Sequence, residues 1–89
     1  MNDKQREILV ITQEECAEVI QEISKIFRFG LDEMHKDGMT HNDKLELEIG
    51  DLLCMVDLLA EHKLINPDNI AITKQNKQQK LKKWSKIYD

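Results

Sequence analysis

Aromatic side chains are scarce in this chain. They make up 4% of its 89 residues, beside only three Gly and one Pro. β-Sandwiches draw on aromatic residues for their strands and on Gly and Pro for their turns, so this composition excludes them and fits helices. Long apolar runs are missing too. No uncharged apolar stretch approaches the about 18 residues that a membrane helix needs, and no export signal is visible. A cytoplasmic location is therefore expected. Cysteine is limited to Cys16 and Cys54, each beside apolar residues in a helical pattern. They read as reduced core residues, not as a disulfide or a zinc site. No internal repeat divides the chain, so residues 1–89 form a single domain. A core this small is marginal alone, and a metal or oligomerisation is a natural support.

What is present is charge: 34% of residues, for a net charge of −4. It is unevenly placed. Residues 1–61 hold fifteen of the seventeen acids, whereas Lys74 to Lys86 holds six Lys and no acid. The plain reading of that tail is a solvated helix end. An acidic remainder repels phosphate backbones, which argues against a nucleic-acid binder.

Three helices are expected, at about residues 3–29, 42–63 and 67–87. Asn2 or Asp3 caps the first, which stops at Gly30; a capping box at Thr12 offers a later start. Its apolar face is Cys16, Val19, Ile20, Ile23, Ile26 and Phe27, and Phe27 reads as core. Leu31 to His41 is a connection with room for a short helical turn over residues 32–36. Its histidines, His35 and His41, lack ligand spacing and read as surface residues. Asn42 or Thr40 caps the second helix. Asn66-Pro67 gives the third a clean start, with Asn at the cap and Pro at the first helical position. From Thr73 to Lys80 that helix is polar all round, so it is exposed or lines a polar site.

The second helix carries acids where a buried helix should not. At about 100° per residue, Leu45, Ile49, Leu52, Leu53, Val56, Leu59 and Ala60 share one face. Glu48 and Asp51 fall among Leu47, Leu52, Met55 and Leu58. A carboxylate among apolar neighbours costs several kcal/mol unless something pairs with it. On the first helix Glu15, Glu18 and Glu22 stack at spacings of three and four. Glu15 and Glu18 occupy the same flank, relative to the apolar face, as Glu48 and Asp51 do on theirs. Four converging carboxylates require a counter-charge. A hard divalent cation supplies it, and oxygen-only ligands suit Mg²⁺ or Mn²⁺. The rival reading places these acids at a bundle rim, paired with Lys.

Glu14-Glu15-Cys16-Ala17-Glu18, followed by Glu48-Ile49-Gly50-Asp51, resembles the E-E-x-x-E … E-x-x-D signature of the MazG-like all-α nucleoside triphosphate pyrophosphohydrolases. The resemblance runs from about Ile8 to Leu59 and more loosely into the third helix. Twenty-nine residues separate Glu18 from Glu48, at the upper end of that pattern. The resemblance implies an all-α bundle of three main helices per chain, with a four-helix-type core completed by oligomerisation as a homodimer or homotetramer. It implies Mg²⁺, or Mn²⁺, held by Glu15, Glu18, Glu48 and Asp51. Glu14 and Glu15 would serve the catalytic step, with Glu22 as another spare carboxylate. Lys44, Lys77 and Lys80 would bind substrate phosphate. Phe27, Phe29 and Trp84 are candidates to touch the base, Trp84 reading better as an interface anchor. The activity implied is cleavage of a nucleoside triphosphate to the monophosphate and pyrophosphate. The competing expectation is a non-catalytic oligomeric module that binds a partner through its basic third helix.

Overall fold

The structure is a computed structural model that describes residues 1–89. It is all-helical: α1 spans Asp3–Phe29, α2 His41–Glu61 and α3 Pro67–Trp84. Each start is chemically specified. Asn2 caps α1 in a reciprocal box with Gln5, and Thr40 caps α2 in the same way with Asp43. The Asn66 side chain accepts from the Asp68 N–H at 2.9 Å, just ahead of Pro67. Such caps satisfy N–H groups that a helix leaves without internal partners.

The ends are as local as the starts. Gly30, at φ 92, closes α1 by donating its N–H to the Ile26 carbonyl at 2.8 Å. α2 ends at Glu61, two residues before the expected end, because Lys63 turns into the left-handed region at φ 61. The Leu64 N–H then returns to the Leu59 carbonyl at 2.9 Å. α3 ends at Trp84, where the Ser85 hydroxyl donates to the Leu81 carbonyl at 2.8 Å. The connection forms no helical turn at residues 32–36. It doubles back instead, with an antiparallel bridge between Met34 and Thr40 around Gly38 at φ 82.

α1 and α2 pack as an antiparallel hairpin, and α3 makes no extensive contact with either. Only five residues are buried: Ile8, Met55, Leu59, Glu22 and His41. The three apolar ones form a small core, covered by Ile11, Leu58, Leu64 and Ile65. The elbow before α3 is pinned to this core, since Gln5 Nε2 donates to the His62 carbonyl at 2.9 Å.

Burial corrects several expectations. The broad apolar face of α1 looks outward, with Phe27 87% and Ile20 64% exposed. Cys16 and Cys54 are exposed as well, so neither is core. The flanks that carry the acids form the interhelical face. No helix is long and apolar enough to cross a membrane.

Candidate metal centre

Helical spacing builds this site. On α1, Glu15 and Glu18 are one turn apart, and on α2 so are Glu48 and Asp51. Packing the two flanks together faces the pairs at one another. Oxygens of Glu15, Glu48 and Asp51 all lie within 4.8 Å of one another. Glu18 joins through Glu48, with which it makes a hydrogen bond once a proton lies between them. Glu15 and Glu48 are half-buried, while Glu18 and Asp51 stand at the open edge.

The electrostatics record the crowding. The Glu48 carboxyl is pushed up to about 7, first by its hydrogen bond with Glu18, then by burial and by the charges of Glu18, Asp51 and Glu15. Glu15 is also raised, by burial foremost and then by Glu18, Asp51 and Glu14. Two carboxylate oxygens, Glu15 Oε2 and Glu48 Oε2, are buried without a hydrogen-bond donor. Buried polar atoms are normally paired. Glu22 Oε2 and His41 Nε2 are unpaired as well. Glu22, however, has Lys25 and His41 beside it, whereas the two oxygens of the cluster have no positive group and call for a ligand. A divalent cation fits them: the donors are all hard oxygens, they converge, and no Lys or Arg neutralises them.

The other expected site residues are placed less uniformly. Glu14 is exposed and acts on Glu15 through its charge. Lys44 does not meet the acids; its amine is 3.2 Å from Asp37 Oδ2 on the connection. That contact and the Met39 N–H hold the Asp37 carboxyl below its ordinary range, the backbone bond being the larger cause. Lys77 and Lys80 are exposed on α3 and make no ion pair. Glu22 is no spare carboxylate, because it is buried, 3.3 Å from Lys25 Nζ and 3.9 Å from His41 Nδ1.

His41 is the residue that the sequence reading missed. It is 1% exposed, not a surface residue. Its ring stacks on Phe29 with centroids 5.6 Å apart, and its Nδ1 shares a 3.2 Å hydrogen bond with His35 Nε2. Being the first residue of α2, it ties that end of the helix to Glu22 on α1, one turn beyond Glu18. Glu22 completes the row begun by Glu15 and Glu18, and that row was the available signal. Nothing in the sequence marked its partner.

A family profile described as the MazG nucleotide pyrophosphohydrolase domain matches residues 4–83 of the chain. No curated protein and no solved structure gives a significant match.

Proposed function

Because the chain belongs to the MazG nucleotide pyrophosphohydrolase family, we propose that it hydrolyses a nucleoside triphosphate to the monophosphate and pyrophosphate with Mg²⁺ or Mn²⁺. The observation that carries this reading is the trio Glu15, Glu48 and Asp51 with two orphaned oxygens. These three, with Glu18 at the edge, would hold the cation. Bound there, the ion supplies positive charge for the triphosphate oxygens and makes a coordinated water more acidic.

The remaining work belongs to the protein's own groups. Glu14, exposed and next to Glu15, would take the proton of the attacking water. The water oxygen adds to the α-phosphorus as the bond to the bridging oxygen breaks, and pyrophosphate leaves. Lys77 and Lys80 carry unpaired positive charge suited to that leaving group. Lys44 joins them only by releasing Asp37. Little covalent chemistry is asked of the side chains; position and charge supply the rate. The broad apolar faces left open on α1 and α2 support a homodimer or homotetramer as the working form.

The test is a screen of normal and modified nucleoside triphosphates with Mg²⁺ or Mn²⁺, read as pyrophosphate release. Glu48→Gln keeps the shape and removes the charge. It should lower the rate at least 10²-fold, as loss of a main electrostatic group does in other enzymes. Full activity in this variant would sink the site, and the non-catalytic module would become the better reading.

A further inference from the structure

The buried polar end of the hairpin has no part in the reaction proposed above. It nonetheless holds the least exposed residue of the chain, His41 at 1%, beside Glu22, whose side chain is 9% exposed. The apolar core amounts to three residues. In so small a protein, burying two polar side chains is destabilising unless their lone pairs and protons are met.

The connection brings a second imidazole to the same place. The Met34–Thr40 bridge, the His35 N–H donating to the Met39 carbonyl at 2.9 Å and the Gly38 N–H donating to the His35 carbonyl at 3.0 Å turn residues 34–40 back on themselves. This turn sets His35 Nε2 3.2 Å from His41 Nδ1. Glu22 Oε2 lies 3.9 Å from that same His41 nitrogen. One proton can sit between the two imidazoles, but it does not reach Glu22, because 3.9 Å is beyond a hydrogen bond. Glu22 Oε2 and His41 Nε2 are accordingly buried without partners. Lys25 meets only the other Glu22 oxygen, Oε1, at 3.3 Å.

Two imidazole nitrogens and one carboxylate oxygen are the donors of a borderline divalent cation, Zn²⁺ above all. The carboxylate cluster offers hard oxygens alone, so the two places differ in kind. Two nitrogens on a tetrahedral Zn²⁺, each at about 2.0–2.1 Å, stand roughly 3.3 Å apart. The imidazole nitrogens already stand at 3.2 Å. The Glu22 oxygen has to close on them. A turn of its carboxylate about the last side-chain bond, which is a soft torsion, and give in the connection that carries His35 supply the movement. His35 is half-buried, so one side opens to solvent. That side gives the ion its entry path and a water as fourth ligand. Metal on His41 Nδ1 leaves the ring's proton on Nε2.

We propose that Glu22, His35 and His41 form a second cation site, selective for Zn²⁺, which staples the connection to both helices of the hairpin. Its three ligands come from α1, from the connection and from the first residue of α2. A small chain with few buried apolar residues gains most from such a staple. The ion would be structural, and the site stands whether or not the chain cleaves a triphosphate.

Metal-free chain is titrated with Zn²⁺ against a coloured chelator, in millimolar Mg²⁺ to compete at the carboxylate cluster. The wild type should hold one Zn²⁺ per chain that Mg²⁺ does not displace. His35→Ala removes a half-buried side chain from the connection and should leave the hairpin folded, as circular dichroism reads. It should lower Zn²⁺ affinity by more than the about 10-fold that loss of an outer-shell group costs. Glu22→Gln should act in the same direction; if it does not fold, His35→Ala decides. Glu48→Gln should leave Zn²⁺ affinity unchanged. Imidazole ¹⁵N resonances locate the ion: His35 Nε2 and His41 Nδ1 should shift, and those of His62, the remaining histidine, should not. No Zn²⁺ retained against Mg²⁺, or equal affinity in His35→Ala, overturns the proposal. Affinity lost in Glu48→Gln, with His35 and His41 resonances unmoved, puts the ion in the carboxylate cluster and overturns it as well.

Discussion

The two ends of the α1–α2 hairpin are closed by different chemistry. At one end Ile8, Met55 and Leu59 bury apolar surface beneath Leu64 and Ile65. At the other, Glu22 and His41 are buried as a polar pair, with Phe29 stacked on the imidazole. The apolar end contributes most of the stability, since each well-buried side chain of this kind is worth about 1.5–3 kcal/mol. The polar end adds less energy and more geometry. A hydrophobic contact tolerates sliding, whereas a buried histidine whose Nδ1 faces both His35 Nε2 at 3.2 Å and Glu22 Oε2 at 3.9 Å fixes the register of α2. Glu15, Glu18, Glu48 and Asp51 lie between these anchors. Four mutually repelling carboxylates are kept close because the helices are fastened beyond them on both sides.

Breaking the apolar anchor should have the largest effect on stability. Leu59→Ala leaves a cavity in a three-residue core and should cost about 2–5 kcal/mol. That is a large share of the stability of a small domain, and urea denaturation reads it directly. A midpoint close to wild type would show that the hairpin is held from elsewhere.

Breaking the polar anchor should cost less and do something different. His41→Ala leaves the Glu22 carboxylate buried without its imidazole, for about 1–3 kcal/mol. It should also weaken divalent-cation binding, measured by calorimetry on folded protein, because α2 loses its register. His41→Gln, which keeps a polar group, should recover part of that affinity. If His41→Ala binds the cation as well as wild type, the polar end is only packing.

The smallest effect is expected at Lys25, the 45% exposed partner of Glu22. Such a pair is worth under about 1 kcal/mol, so Lys25→Ala should barely move the urea midpoint. A large loss would mean that Lys25, not His41, neutralises Glu22.

Much of this arrangement was legible in the residues. The caps at Asn2, Thr40 and Asn66, the stop at Gly30 and the acid spacing all act within a few positions, so sequence reports them well. Which face of each helix meets the other was harder to see. Ile20, Ile23 and Phe27 outnumber the apolar residues on the acid flank, and an apolar count alone selects the wrong side. The count misled because a single chain leaves that surface exposed. His41 was misread for a related reason. Its neighbour Glu22 is set by how the connection folds, and a short polar loop carries no periodic signal.

The central claim is that the crowded carboxylates are a cation site. An acid whose value is raised on folding holds a proton that the unfolded chain has already released. For Glu48, raised from 4.5 to about 7, stability should therefore fall as pH rises through that window. Glu15 moves in the same direction. A bound cation replaces the missing proton and removes the penalty. The decisive measurement is thermal unfolding of wild type and Glu48→Gln at about pH 5.5 and about pH 8, with and without millimolar Mn²⁺. The account predicts that Mn²⁺ raises the wild-type Tm more at the higher pH, and that Glu48→Gln loses most of this gain. A wild-type Tm that ignores Mn²⁺ at the higher pH, or a gain that survives in Glu48→Gln, would contradict it.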